Sequence, residues 1–133
     1  MRKRGNSGSR CRDDGGALTL SYVAILPFVF VVVMTLMQAS LWFLARNAAL
    51  AAARQGADAA RTFDASRAAG PAAALAFARQ AGQGYLNEPQ ASEAGSTATT
   101  ISITVSGHVP SFVPNLLLSV SETAQAPVER FRP

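Results

Sequence analysis

Hydrophobic and polar positions follow three successive patterns along the chain. From Gly15 to Ala45 no residue is charged, and Ala17 to Leu44 is dominated by Leu, Val, Ile, Phe and Met. About 20 apolar residues carry a helix across a bilayer core. A helix at the surface of a soluble protein keeps a polar stripe, whereas Phe28-Val29-Phe30-Val31-Val32-Val33-Met34 is apolar on every side. The pattern predicts a transmembrane helix. Pro27 lies inside it and offers no N–H to the carbonyl of Val23, so a kink is expected there. Thr19 and Ser21 stand one turn or more earlier, placed to satisfy freed backbone groups.

The second pattern is alanine-rich. Arg46 to Gln55 consists of strong helix formers without a breaker. Arg46, Arg54 and Arg61 fall on one helix face, with Asp58 spaced to pair with Arg54 or Arg61. A helix running from Ala17 to about Arg67 would be roughly 75 Å long. A small domain cannot bury such a rod, and its alanine faces admit close neighbours, so lateral partners are expected. Gly70-Pro71 marks a helix boundary and the first turn of a second helix, predicted from Pro71 to Leu86. Leu75, Ala78, Gly82 and Tyr85 form its expected packed face. Asn87 to Thr97, rich in Ser, Gly, Glu and Pro, reads as a loop.

The third pattern has a period of two. Ile101, Ile103, Val105 and Val109 alternate with Thr100, Ser102, Thr104 and His108, predicting a half-buried strand. Pro110 and Pro114 mark a turn around Phe112. A second strand is expected from Leu116, Leu118 and Val120 through Ala126. Glu122 falls on its apolar parity, which suggests a bulge, a register change or an open edge. Pro127 ends the strand or places it at an edge. Two strands are marginal alone and must pack on the second helix, the rod or another subunit. The expected fold is α+β and membrane-anchored: a leader over 1–16, a transmembrane helix over 17–45, an Ala-rich extension over 46–69, and a small α/β domain over 70–133.

Charge decides orientation more than partner class. The net charge is +4, but Arg2, Lys3, Arg4, Arg10 and Arg12 crowd ahead of the apolar run, where an excess of Lys and Arg marks the cytoplasmic side. This placement argues for topology and against nucleic acid. The N-terminus is expected inside and the C-terminal domain outside, with Trp42 and Phe43 as an interfacial anchor. The apolar run exceeds the 7–15 residues of a secretory signal, and Met37-Gln38-Ala39-Ser40 is a poor cleavage site because Leu41 resumes the run.

Candidate chemistry is sparse. Cys11 is the only cysteine, so it forms no internal disulfide, and ahead of the apolar run it reads as an incidental thiol. His108, the only histidine, reads as solvated or structurally hydrogen-bonded. No nucleophile elbow, phosphate-cradling loop, metal-ligand spacing or cofactor motif is found. The chain reads as non-enzymatic, with no metal and no cofactor.

The segment Gly15-Gly16-Ala17-Leu18-Thr19-Leu20-Ser21-Tyr22 is more informative. A basic leader, a glycine and a long apolar helix resemble a type IV pilin-like N-terminus. In the tight-adherence (Flp) branch the pattern is a glycine, four residues, then Glu-Tyr; here Tyr22 matches and Ser21 replaces the glutamate. With the Ala-rich helix carrying Arg54-Gln55-Gly56-Ala57 and the closing Thr123-to-Glu129 segment, the chain resembles the TadE-like family of minor pilin-like proteins. That resemblance implies a pilin-like architecture and a prepilin peptidase cutting between Gly16 and Ala17. It also implies a place in the cytoplasmic membrane beside other pilin-like subunits and the platform and ATPase proteins of a tight-adherence pilus or secretion apparatus. Ser21 cannot supply the charge that the pilin glutamate offers to a neighbour's amine. The competing reading is a membrane-tethered binding module unrelated to pili, whose strand edge takes up a peptide.

Overall fold

The structure, a computed structural model, describes residues 14–62, 66 and 68–128, with side chains from Tyr22 onward. Two helices precede three strands: α1 (Asp14–Arg61), α2 (Ala69–Ala81), β1 (Asn87–Ser92), β2 (Thr100–Val109) and β3 (Leu118–Pro127). The chain divides into two units, Met1–Thr35 and Leu36–Pro133. In the first, the described residues are the apolar start of α1. The second holds the rest of α1, α2 and the sheet. This is the expected long apolar helix, second helix and small antiparallel sheet.

α1 ends where its sequence changes. Arg61 lies in the last turn, where a cation meets the negative end of the helix dipole, and the Thr62 hydroxyl donates to the Ala59 carbonyl at 2.9 Å. α2 begins two residues before the expected Pro71 and stops at Ala81 rather than Leu86. Gly82 closes it with its N–H on the Ala78 carbonyl, and Gly84 then turns the chain at φ +85°. Its buried residues are Gly70, Ala74 and Ala78. Of the expected packed face, Ala78 and Gly82 are buried and Tyr85 packs half-buried against the core, while Leu75 is half-buried outside it.

The sheet has the order β1-β2-β3, antiparallel throughout. Asn87–Ser92, expected as part of a loop, is a strand paired to β2 through Gln90↔Ser106, Ala91↔Val105 and Ser92↔Thr104. Only Ala91 of its residues packs against the core, so it shows no apolar alternation. Pro89 is tolerated because β1 is an edge, and the register shifts between Asn87 and Gln90. β2 and β3 pair without interruption from Thr100↔Pro127 to Val109↔Leu118. Glu122 therefore marks neither a bulge nor a register change. Pro127 ends β3, which is the other edge. The expected second segment begins later, at Leu118, leaving Leu116 exposed.

One face of the sheet forms the core. Ile101, Ile103, Val105, Val109, Val120, Ala124 and Ala126 pack with Ala74, Ala78 and Leu86, and with Ala45, Ala49, Ala52, Ala53, Ala57 and Ala60 of α1. The alanine face expected to need lateral partners is thus covered from Ala45 to Ala60 by the chain's own sheet and second helix. Alanine contributes little apolar area per residue; its use here is to let backbones approach. Ile103 and Val105 are the largest side chains fully buried. Leu86 lies over Gly107, where an added Cβ would stand 2.6 Å from its Cδ1. The opposite face is hydroxyl-rich, with Thr104 and Thr123 joined Oγ1 to Oγ1 at 2.7 Å.

Candidate membrane helix and processing junction

The apolar part of α1 is bare. In the first unit Tyr22, Leu26, Phe28 and Phe30 expose 61–72% of their surfaces, and Val29, Val31, Val32 and Val33 are exposed as well. In the second unit Leu36, Met37, Phe43 and Leu44 are exposed. Among the described residues this is the one helix long and apolar enough to cross a membrane, with a mean hydropathy of 2.2 over its most apolar window. In water such a surface would cost about 25 cal/mol for each Å² left uncovered; lipid removes that cost. The helix fits a single membrane crossing.

Its polar side chains are arranged for an apolar solvent. The Thr35 hydroxyl donates to the Val31 carbonyl at 2.8 Å, and the Ser40 hydroxyl to the Leu36 carbonyl at 2.8 Å. Bonding back one turn leaves each hydroxyl satisfied without water. Gln38 uses both ends of its amide. Nε2 donates to the Pro110 carbonyl at 3.1 Å, and Oε1 accepts from the Phe112 N–H at 3.1 Å.

The apolar stretch ends in a charged collar. Arg46 donates through Nε to Glu122 Oε1 at 2.6 Å, and its guanidinium carbon lies 5.6 Å from the centre of the Trp42 ring. Glu122 faces inward on β3 and is half-buried because α1 brings it this counter-ion. The sequence signal for the pair was Glu122's misplaced parity, but its partner lies 76 residues away. Asp58 and Arg61 pair at 3.0 Å, as their spacing predicts.

Of the expected junction, Gly16, Ala17 and Ser21 lie within α1, and Tyr22 is 72% exposed. Pro27 is inside the helix. The basic leader and Cys11 lie outside the described residues. His108 is exposed on β2, beside Glu88 and Ser119 in a shallow hollow of about 240 Å³. Among the described residues no group of three or more His, Cys, Asp or Glu side chains is placed to hold a metal.

Comparison with known families meets this geometry at the helix. The family model described as TadE-like protein matches residues 16–58. Over these residues the chain is similar to TadE-like proteins. The match opens on Gly16, takes in the whole exposed apolar stretch, and ends within the alanine face that packs on the sheet. No curated protein and no solved structure gives a match to the chain. The TadE-like segment therefore joins the bare apolar helix to the α1 residues of the core.

Proposed function

We propose that the chain is a non-enzymatic, minor pilin-like component of a tight-adherence (Flp-type) pilus assembly or secretion apparatus. The observation that carries this reading is the TadE-like match over residues 16–58 on a helix whose apolar side chains are exposed. A single crossing of the cytoplasmic membrane is proposed. The excess of basic residues before Gly15 supports an N-terminus inside, with the unit of α2 and the sheet outside. The working parts are side chains that pack, in the membrane, against other pilin-like subunits and the platform and ATPase proteins.

The junction is proposed to work as follows. Prepilin peptidase cuts between Gly16 and Ala17, and Tyr22 occupies the tyrosine position of the processing pattern. Ser21 replaces the glutamate, so the apolar stretch of the freed helix has no carboxylate to offer a neighbour's amine, which suits an initiating or tip subunit. Pro27 loosens the helix one turn further on.

Purification of the full chain from its native membranes in mild detergent tests this reading. Recovery of a tight-adherence ATPase, platform protein or Flp-type pilin supports it, and recovery of none of them counts against it. Intact mass of the same sample separates the fates of the leader. Loss of the first 16 residues supports processing, and a full-length chain indicates an uncut anchor.

A further inference from the structure

The connection between β2 and β3 exposes apolar side chains in a row. Phe112, Val113, Leu116 and Leu117 are 55%, 54%, 42% and 87% exposed. In a water-facing turn these positions would be polar. Here the loop is held against α1 by the two hydrogen bonds of the Gln38 side-chain amide, within the apolar stretch of that helix.

The position of Gln38 sets the depth. Arg46, the first charge after the uncharged run, lies eight residues on, about 12 Å along the helix axis. A guanidinium extends toward the polar side of a bilayer, and each interfacial layer is only about 5–8 Å thick. With Arg46 in the headgroup layer, the residues beside Gln38 reach the edge of the hydrocarbon.

Part of the loop backbone is satisfied within the chain. Irregular backbone enters lipid only where its polar groups find partners. Pro110 and Pro114 have no N–H to satisfy. Phe112 donates to Gln38, Val113 donates to the Ser111 hydroxyl, and Leu116 donates to the Val113 carbonyl. That carbonyl also accepts from the Ser111 hydroxyl. Asn115 makes the reversal at φ +64°, a conformation that asparagine tolerates.

We propose that the β2–β3 loop, residues 110–117, is a second membrane contact: Phe112, Val113, Leu116 and Leu117 enter the outer leaflet beside α1 and hold the sheet unit against the lipid surface. The inference rests on the membrane reading of α1. The occupant is lipid rather than a second protein because the patch carries no charge and hangs on Gln38, which follows the exposed Leu36 and Met37 in the apolar stretch of the same unit.

The test uses the full chain in phosphatidylcholine–phosphatidylglycerol vesicles, with Trp42→Phe removing the only native tryptophan. Single reporters are then introduced as Leu117→Trp, Phe112→Trp, Phe30→Trp on the apolar helix and Gln125→Trp on the exposed face of β3. Acyl-chain-brominated lipid should quench Leu117→Trp and Phe112→Trp at least half as strongly as Phe30→Trp. Aqueous iodide should quench them at least threefold less than Gln125→Trp. Iodide quenching at the Gln125→Trp level, with Phe30→Trp still quenched by lipid, overturns the proposal and leaves the membrane helix standing. Shielding from both quenchers means a protein surface covers the loop, which also overturns it. Failure of lipid to quench Phe30→Trp removes the membrane reading and this one with it. Phe112→Trp keeps a ring in place of a ring, so the reading survives if Leu117→Trp misfolds.

Discussion

Gly56 of α1 and Gly70 of α2 face each other too closely for either to carry a side chain. A Cβ on Gly56 would stand 2.7 Å from the Gly70 carbonyl oxygen and 2.7 Å from the Ala74 Cβ. A Cβ on Gly70 would stand 2.8 Å from the Ala60 Cβ. Ile103 reaches both positions from the sheet, so the pair sets the distance between three elements.

Gly56→Ala tests that spacing. Alanine favours an isolated helix by about 1 kcal/mol over glycine, so an unconstrained site would become more stable. Here the methyl meets backbone oxygen, and the overpacking costs about 1–3 kcal/mol. The expected net effect is a lower unfolding temperature in detergent, followed by circular dichroism. Arg54→Ala, exposed on the same helix, should stay within about 0.5 kcal/mol of wild type.

The Arg46–Glu122 pair should show measurable coupling. Arg46 is half exposed and Glu122 about one-fifth exposed in their side chains, so the pair is neither a free surface bridge nor a buried one. A double-mutant cycle with Arg46→Gln and Glu122→Gln should give about 0.5–1 kcal/mol, shrinking as salt rises. Loss of Arg46 alone should cost more than loss of Glu122 alone, because it leaves a partly desolvated carboxylate on the inner face of β3.

That carboxylate also shows how far the sequence could be read. The apolar run, the alternation of β2 and the end of β3 at Pro127 were legible because each rests on a local rule of period or breaker. Glu122 broke the alternation locally, but its counter-ion comes from a distant helix, so the local explanations were a bulge, a register change or an open edge, and of these β3 meets only the edge. β1 was illegible because an edge strand with one inward residue has no period to detect. Gly70 read as a helix boundary; its reason is the approach of Gly56, a tertiary contact. The alanine face of α1 read as a surface for other helices, since small residues announce close approach without naming what approaches. At the candidate site, the glycine-to-tyrosine spacing was visible, whereas the Gln38 clamp on the loop depends on a pairing across 72 residues and left no sequence signal.

Removing that clamp should loosen the loop and little else. Gln38→Leu keeps the volume near that of the amide but strands the Phe112 N–H and the Pro110 carbonyl. An unsatisfied backbone group removed from water costs about 1–3 kcal/mol. Amide exchange over residues 110–117 in bilayer discs should therefore accelerate roughly tenfold or more, with β2 and the lower part of α1 unchanged. Equal exchange in wild type and variant would mean the two hydrogen bonds do not hold the loop.

A charge within the apolar stretch should block insertion in proportion to its depth. Val31 is exposed, so Val31→Asp disturbs no packed contact inside the chain. In lipid it should cost about 2.5–3.5 kcal/mol at the helix centre. In a microsomal insertion assay the inserted fraction should fall severalfold, while Ala51→Asp, beyond the collar, should insert as wild type. Unchanged insertion of Val31→Asp would place this stretch outside the hydrocarbon.

The leader offers the sharpest separation between an assembly subunit and a plain anchor. A peptidase at the inner membrane face must draw the backbone around Gly16 into an extended strand, and glycine offers least resistance to that change. Gly16→Val adds a β-branched side chain at the cut. Under the proposed processing, wild-type chain extracted from native membranes should lack its first 16 residues and Gly16→Val should keep them. Under the same proposal a Ser21→Glu chain should be cut as wild type is, because the substitution supplies the Glu-Tyr of the tight-adherence pattern without touching the cut itself. Its effect should appear afterwards, as increased incorporation into filaments, since the carboxylate can then meet a neighbour's new amine rather than stay unpaired in lipid. Full-length mass for wild type and both variants would assign the segment before Ala17 to topology alone.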